Sequence, residues 1–322
     1  MTKNIMLTDR FISVVVPCYR DECNIREMVG RLTEAFQGIT PNYEIIYVND
    51  ASPDNSEAVL AEVAKNNPRV TVVHHSRNFG VMSAFHTGMR QTIGDAVAVM
   101  DGDLQDPPEV IGDFVKKWLG GYQVVYGIRA SRDESWLRKI GYYWFYKLWA
   151  EISEVRMPRD SGEFALMDRK VVDLVLSMPE KERFLRGLRS WVGFAQIGVP
   201  YHRPDRFAGK TTQTLWNYFS WAIKATTSFS SFPLRMISVI AVMFSAFLVA
   251  FLAVNLALFV MGVRAPRGFM TLLGLLLLIG TMISICNAIM AEYINVIFQE
   301  VKARPTSIVS YVLNDHRTGK PL

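Results

Sequence analysis

The sequence predicts an α/β domain with a mainly parallel sheet, followed by interfacial helices and a two-helix transmembrane hairpin. Short apolar strand patterns alternate with helical patterns between residues 11 and 127, and two long runs without charge lie near the C-terminus. Of the 322 residues, 50% are hydrophobic, and the mean hydropathy of +0.15 is unusual for a soluble enzyme. A globular domain joined to a membrane anchor accounts for all three observations.

The alternating region predicts the sheet. Each strand pattern is a short apolar run, and each helical pattern carries apolar residues at helical spacing. Such alternation indicates parallel strands with helices on both faces. The predicted strands are 11–16, 43–48, 70–75, 96–100 and 123–127. The predicted helices are 25–36, 56–65, 81–91 and 107–119.

Polar segments follow three of the predicted strands, at residues 17–22, 49–54 and 101–103. In sheets of this kind, ligands bind beyond the carboxyl ends of the strands. We therefore expect the three segments to line one cleft. The chain has no GxGxxG or Walker pattern, which argues against a dinucleotide site and against an ATP phosphate loop.

The segment VMDGDLQDPP, residues 99–108, is the predicted metal site of that cleft. Side chains repeat every two residues on an extended segment, so Asp101, Asp103 and Gln105 are expected to share a face. Their oxygen atoms suit Mg²⁺ or Mn²⁺, which would neutralise the charge that develops on a departing nucleoside diphosphate. The alternative interpretation is local: an Asp-Gly turn, then a helix capped at Asp106.

Residues 236–263 and 269–291 are the predicted transmembrane helices, because neither run contains a charged residue. As helices they would extend roughly 42 and 34 Å, enough to cross a hydrocarbon core of about 30 Å. The short connection 264–268 predicts an antiparallel hairpin; two buried core helices are the alternative. Basic residues concentrate on the side of the large domain, which predicts that this domain is cytosolic. They are Arg203, Arg206, Lys210, Lys224, Arg235, Lys302, Arg304, Arg317 and Lys320.

A basic segment followed by aromatic segments predicts contact with a lipid phosphate. Arg129, Arg132 and Arg138 come directly after the last predicted strand, and arginine forms bidentate contacts with phosphate. Residues 140–149 contain six aromatic residues, and residues 215–232 form a second candidate interfacial segment. A solvated basic helix and core packing are the alternatives. The net charge of +5 at pH 7 is mild and does not suggest nucleic acid.

Two residue types argue against other classes of site. The three cysteines have no zinc spacing and favour a reducing compartment. The five histidines are expected to be structural or solvated.

Taken in order, several motifs resemble those of the family 2 glycosyltransferases, and more narrowly those of the polyprenyl-phosphate glycosyltransferases. That group includes dolichol-phosphate mannose synthase and the bacterial undecaprenyl-phosphate glucosyl- and aminoarabinosyltransferases. Each motif alone is weak, but the series covers nearly the whole chain. The motifs are VVVPCYRDE (14–22), VNDASPDNS (48–56), RNFG (77–80), DGDLQDPPE (101–109), DSGEF (160–164), RFAGKT (206–211), FPLR (232–235), EY (292–293) and EVKARP (300–305).

The resemblance implies a GT-A-type domain that transfers a hexose, with inversion, from a nucleotide sugar to undecaprenyl phosphate. UDP-glucose is the favoured donor. The implied location is the bacterial inner membrane, with a cytosolic catalytic domain and a homo-oligomeric assembly. The implied boundaries are 1–213 for the catalytic domain, 214–234 for an interfacial segment, 235–298 for the transmembrane helices and 299–322 for a cytosolic tail.

The resemblance also implies residue roles. Asp101 and Asp103 would be catalytic as well as metal ligands, and Asp160 matches an acid near the reaction centre that orients the acceptor or assists the metal; a plain helix or turn acid is the alternative for Asp160. Arg129, Arg132 and Arg138 would bind the acceptor phosphate. The residues implied for donor binding are Pro17, Tyr19, Glu22, Asp50, Arg206 and Lys210.

The chain departs from the family pattern at two positions. Asn49 stands where an acid usually precedes Asp50, and Lys210 follows Gly209 directly, whereas many relatives have the lysine where Thr212 stands here. Two rival functions remain: a processive polysaccharide synthase and a non-catalytic nucleotide-sugar-binding or lipid-flipping accessory. The first would normally carry a Gln-x-x-Arg-Trp motif and more membrane helices, and the second would not need the acids at 101–105.

Overall fold

The computed structural model describes residues 6–129, 158, 161–181, 183–204, 230–262 and 268–317. The chain divides into two units. The sheet domain comprises residues 1–150, 155–214 and 304–322, and the helical unit comprises residues 151–154 and 215–303.

The first half of the sheet domain follows the predicted alternation. Its strands are β1 (Ile12–Cys18), β2 (Tyr43–Asn49), β3 (Val70–His75) and β4 (Ala96–Val99). Its helices are α1 (Glu22–Gln37), α2 (Ser56–Asn66), α3 (Val81–Gln91) and α4 (Ile111–Leu119), the last preceded by a 3-10 turn at Pro108–Val110. Every residue of β1 to β4 is buried, as expected for strands covered on both faces.

The second half begins with the predicted strand β5 (Val124–Arg129) and then adds elements beyond the predicted ones. They are β6 (Ser161–Asp168), α5 (Arg169–Ser177), α6 (Leu185–Trp191), β7 (Gln196–Tyr201) and β8 (Val309–Leu313). The sheet has the order β7-β5-β6-β4-β1-β2-β3-β8. Strands β6 and β8 run antiparallel to their neighbours, and the other pairs are parallel. The predicted mainly parallel sheet is confirmed.

Strand β8 comes from the C-terminal segment that sequence analysis treats as a tail. It pairs antiparallel with β3, so that Tyr311 lies opposite His74. The side chain of Tyr311 stacks on the His74 ring, with 4.2 Å between ring centroids. The last residues of the chain therefore complete one edge of the sheet, a pairing that no local pattern in residues 299–322 indicates.

The helical unit contains α7 (Phe232–Val260) and α8 (Phe269–Lys302). Their lengths correspond to roughly 44 and 51 Å at 1.5 Å per residue. The Tyr293 hydroxyl donates to the carbonyl oxygen of Ser230 at 2.7 Å, which brings the start of α7 beside the later part of α8 and makes the pair antiparallel. Residues 232–258 and 271–302 are long and apolar enough to cross a membrane, with mean hydropathies of 2.7 and 2.3. The predicted interfacial segment 214–234 lies mostly outside the described residues.

Candidate active site

The acids after β4 lie in a turn. We expected an extended segment there, and that expectation is wrong. Leu104 has a φ of 60°, and the Asp103 carboxylate accepts a hydrogen bond from the backbone N–H of Gln105 at 3.2 Å. Aspartate readily closes such a turn on the backbone two residues later. Asp101, Asp103 and Gln105 are all half-buried at the carboxyl end of β4.

Gly102 fixes the position of this turn against the end of β1. A Cβ atom added at Gly102 would lie 2.8 Å from the carbonyl oxygen of Pro17 and 3.6 Å from a carboxylate oxygen of Asp21. Only glycine permits so close a backbone approach. The predicted metal site and the predicted nucleotide pocket are therefore in direct contact through Gly102.

The electrostatic surroundings of Asp101 are dominated by negative charge. Its pKa is raised to about 7, first by burial and then by the carboxylates of Asp106, Asp103 and Glu163. The guanidinium of Arg203 acts in the opposite direction but does not cancel them. A half-buried carboxyl group with this surplus of negative neighbours is suited to bind a cation.

Asp106 does not cap a helix, which corrects the local interpretation. The 3-10 turn that follows has Pro107 at its N-cap position and no side-chain cap. Instead, Asp106 is 1% exposed and accepts a hydrogen bond from the Tyr201 hydroxyl at 2.6 Å. Burial and the Asp106 charge raise the pKa of Tyr201 well above its usual value, so this hydroxyl remains a donor. Sequence analysis missed Tyr201 because it lies at the end of β7, far along the chain.

Arg129, the last residue of β5, lies in the same cleft as the acids. Burial lowers the pKa of its guanidinium, but a hydrogen bond to Tyr201 and the charges of Asp106 and Asp101 more than offset this, and the net shift is upward. Gly162 makes room for Arg129, because a Cβ there would lie 2.9 Å from an Nη atom of the arginine. Arg129 thus borders the acid cluster, although sequence analysis separated the two.

The DSGEF segment contributes a second pair that sequence analysis missed. Glu163 on β6 forms an ion pair with Arg186 on α6 at 2.8 Å. Arg189 is fully buried and donates to the carbonyl oxygens of Gly162 and Glu163 at 2.9 and 3.2 Å. Burial lowers the pKa of Arg189 to about 10. Glu163 could have been found from the sequence, because it lies within the DSGEF motif. Arg186 and Arg189 lie in no recognised motif.

The predicted nucleotide pocket lies beyond β1 and β2. Pro17 is buried in β1, whereas Tyr19 is 39% exposed just after it. Glu22 begins α1 and accepts a hydrogen bond from the backbone N–H of Asn55 at 2.7 Å. Arg20 has a φ of 61°, and its N–H donates to the Ser52 hydroxyl at 2.7 Å. These bonds join the loops that follow the two strands into one surface.

Asp50 is held from several sides. It is 2% exposed, and its two oxygen atoms accept from the backbone N–H groups of Phe79 and Gly80 at 2.8 and 2.7 Å. The His75 ring lies 2.8 Å from the same carboxylate. Asp50 therefore fixes the RNFG loop at the start of α3.

Five predicted site residues lie outside the described part of the chain: Arg132, Arg138, Asp160, Arg206 and Lys210. Within the described ranges, no group of three or more His, Cys, Asp and Glu residues is arranged to hold a metal ion. The oxygen-only set of Asp101, Asp103 and Gln105 nevertheless fits a hard cation that shares its coordination with substrate phosphates, since such ions often use one or two protein carboxylates. The carboxylates of Asp103, Asp106 and Glu163, which surround Asp101, support this fit.

Comparison with known proteins agrees with the motifs. Residues 13–175 match the family model "Glycosyl transferase family 2". The chain is 39% identical to "Uncharacterized glycosyltransferase YkcC" of Bacillus subtilis, over 95% of each chain. It is 35% identical to "Bactoprenol glucosyl transferase" of Shigella phage SfII, over 96% of this chain and 99% of that protein. A solved mannosyltransferase from Pyrobaculum calidifontis, in complex with GDP-Man and Mn²⁺, has a TM-score of 0.47 at 17% identity, over 91% of this chain and 88% of that one.

The family match covers half of the chain, and the relatives match along nearly all of it. The resemblance drawn from the motifs is confirmed. The chain belongs to glycosyl transferase family 2, and it is a glycosyltransferase with a GT-A-type domain and two C-terminal apolar helices.

Proposed function

We propose that this enzyme transfers a hexosyl group, with inversion, from a nucleotide sugar to a polyprenyl phosphate. We take UDP-glucose as the donor and undecaprenyl phosphate as the acceptor. The observation that carries the proposal is the surplus of negative charge around Asp101 at the carboxyl end of β4. Relatives named bactoprenol glucosyl transferase, aligned over more than nine-tenths of this chain, support the acceptor and the sugar.

The donor is bound across the loops after β1 and β2. Tyr19 offers an exposed aromatic ring, and Glu22 together with Asp50 holds the loops in place. Pro17 forms the floor where Gly102 approaches it. We assign Arg206 and Lys210, from the segment after β7, to the donor diphosphate, because arginine and lysine are the usual phosphate partners.

Asp101, Asp103 and Gln105 would hold Mg²⁺ or Mn²⁺. When bound, the cation would neutralise the charge that grows on the diphosphate as it leaves. The chain's own contribution is the rigid turn, in which Gly102 and the Asp103–Gln105 hydrogen bond set the positions of the two carboxylates. Preorganisation of this kind is where much of the rate enhancement of enzymes arises.

The acceptor phosphate is already anionic near neutral pH, so no strong base is required. One of its oxygen atoms forms a bond to the anomeric carbon, while the bond from that carbon to the diphosphate oxygen breaks and the nucleoside diphosphate leaves. Arg129 borders the acid cluster and can offer its guanidinium to the acceptor phosphate there. We assign Arg132 and Arg138 to the same phosphate and Asp160 to orientation of the acceptor.

The two apolar helices fit an enzyme whose acceptor is a membrane lipid. Many of their large side chains are exposed, among them Val242 at 70% and Leu252 at 68%, as lipid contact requires. We propose a cytoplasmic-membrane location, with both helices spanning and the sheet domain in the cytosol, on the basis of the basic residues that flank the helices.

A donor panel tests the proposal. Purified full-length protein in detergent is given undecaprenyl phosphate, Mn²⁺ or Mg²⁺, and each of UDP-glucose, UDP-N-acetylglucosamine and GDP-mannose. We expect a glycolipid with one UDP-hexose, none in the presence of excess chelator, and none without the lipid phosphate. Formation of a long polysaccharide, or transfer that persists in chelator, would contradict the proposal.

A further inference from the structure

The segment after α8 is attached to the sheet domain by specific polar contacts as well as by strand pairing. The Asn314 side chain donates to the carbonyl oxygens of Ala64 and Val70 at 2.6 and 3.0 Å. The Gln91 amide donates to the Asp315 carboxylate at 2.7 Å. The backbone N–H of Ser76 donates to the carbonyl oxygen of Ile308 at 3.0 Å. Residues 307–316 therefore occupy one defined position on β3 and its neighbours.

One contact of this segment begins a chain of side chains that ends in the predicted nucleotide pocket. The Ser307 hydroxyl lies 2.7 Å from the Thr87 hydroxyl on α3. The Thr87 hydroxyl lies 2.9 Å from Nε2 of His75, and Nδ1 of His75 lies 2.8 Å from Asp50. We call Ser307, Thr87 and His75 the relay. Thr87, His75 and Asp50 are each at most 7% exposed.

The direction of the hydrogen bonds follows from the chemistry of the groups. A carboxylate only accepts, so Nδ1 of His75 donates to Asp50. In the neutral ring, Nε2 is then an acceptor and takes the hydrogen of Thr87, which leaves the Thr87 oxygen to accept from Ser307. Each member is thus oriented by the one before it. A buried network in which every member has its partner is rigid, and loss of one member leaves the next unpaired.

Asp50 passes this constraint to the loop before α3. Its carboxylate holds the N–H groups of Phe79 and Gly80, and Gly80 has a φ of 91°, a conformation that other residues rarely adopt. A rotation of the Asp50 carboxylate would release both N–H groups and change the shape of the loop. The orientation of Asp50 therefore decides the geometry of the whole RNFG loop.

We infer that Ser307, Thr87 and His75 are positioning residues for the donor nucleotide, and that the segment after the second apolar helix is part of the donor site. The inference rests on the proposed function only in that Asp50 is assigned to the donor pocket. It adds residues that no motif indicated, and it gives the C-terminal segment a role in donor affinity.

The test uses the full-length protein in detergent and measures the dissociation constants of UDP and GDP in the presence of Mn²⁺, with KM for donor and for acceptor measured separately. Thr87→Val keeps the shape and removes the hydroxyl, whereas Thr87→Ser keeps the hydroxyl. Ser307→Ala breaks the outer end of the relay. Ser310→Ala, an exposed serine in β8, is the matched control.

We expect Thr87→Val to weaken nucleotide binding and raise the donor KM about tenfold, and Ser307→Ala to do so about threefold, since hydrogen bonds to buried polar groups have effects of this size. The acceptor KM should stay unchanged, and Thr87→Ser and Ser310→Ala should match the wild type. A purely structural role would lower the yield of folded protein and alter both KM values together.

Wild-type donor affinity in both Thr87→Val and Ser307→Ala, with normal transfer by the parent, overturns the inference and leaves the proposed function standing. A parent protein that binds neither nucleotide and transfers nothing overturns both. If Thr87→Val does not fold, Ser307→Ala decides alone, because Ser307 lies near the surface and its truncation leaves the core intact.

Discussion

Asp101 and Asp50 both follow buried strands of one sheet, yet their surroundings are opposite. Asp101 has three carboxylates around it, and its pKa is raised to about 7. Asp50 accepts hydrogen bonds from two backbone N–H groups and from a histidine. Among the described residues, the charges around the first carboxylate are mostly negative, whereas the second is held by hydrogen-bond donors. We infer that Asp101 is available to a ligand, whereas Asp50 holds the neighbouring loop in place.

The largest effect should come from removing charge in the turn after β4. Asp101→Asn and Asp103→Asn should each lower transfer by about two orders of magnitude or more, the scale of losing a key electrostatic group. Asp101→Asn should not lower the melting temperature, because the charge removed is repelled by its neighbours. Initial rates of glycolipid formation and thermal melting in detergent check both parts.

Asp113→Asn is the control for these variants, since Asp113 is an exposed acid that pairs only with nearby Lys116 among the contacts described for it. It should leave both rate and melting temperature unchanged. Near-normal turnover by Asp103→Asn would contradict the catalytic role assigned to this acid.

A smaller loss of transfer activity is expected at Gly102, where the turn after β4 approaches the end of β1. Gly102→Ala would place a Cβ atom 2.8 Å from the carbonyl oxygen of Pro17, so the turn must shift away from β1. Because small misplacements of catalytic groups are costly, we expect transfer to fall about tenfold or more. Gly30→Ala in α1, where an added Cβ meets nothing within 4 Å, should keep full activity. Equal activity of the two variants would show that the turn tolerates displacement.

Asp50→Asn tests the carboxylate that is held by hydrogen bonds, and here a loss of stability should accompany weaker donor binding. The amide NH₂ cannot replace a carboxylate oxygen as acceptor for the N–H groups of Phe79 and Gly80. We expect a cost of about 2 kcal/mol, the scale of a lost hydrogen bond to a charged group, seen as a lower melting temperature. Asp101→Asn should show no such loss of stability. An equal change in melting temperature for the two variants would contradict the distinction drawn between Asp101 and Asp50.

The smallest effect concerns His75 and His86, which differ in whether their ring nitrogens have hydrogen-bond partners among the described residues. Both ring nitrogens of His75 have partners, whereas Nε2 of His86 has none among the described residues. Burial, and then the charges of Arg183 and Arg90, lower the pKa of His86 to about 3. The unfolded chain binds a proton there below about pH 6.5, so stability falls as the pH drops below that value.

His86→Gln removes this source of acid sensitivity. Between pH 7 and pH 5, its melting temperature should fall less than that of the wild type. His202→Gln, at an exposed histidine, should follow the wild-type curve. If His86→Gln is as acid-sensitive as the wild type, His86 is not the group responsible.

The sequence predicts local features well and distant pairings poorly. All the predicted strands and helices of residues 11–127 occur, because apolar runs bounded by polar turns are signals contained within a few residues. Asp106 was misinterpreted because Asp-Pro-Pro is a good helix start, whereas its actual partner, Tyr201, lies 95 positions away. Residues that act through such pairings, among them Arg189 and Ser307, leave no local pattern.

Strand β8 also has a consequence for how the chain is made. Until residues 309–315 have left the ribosome, the edge of β3 that pairs with β8 is open, and the Thr71 and Gln91 side chains lack their partners, the carbonyl oxygen of Asn314 and the Asp315 carboxylate. An open edge of this kind invites pairing with other chains. Polypeptides that terminate early, after α8 but before Val309, should therefore aggregate or be degraded. Only a chain that includes β8 closes this edge of the sheet, so synthesis of residues 309–313 acts as a quality check on the fold.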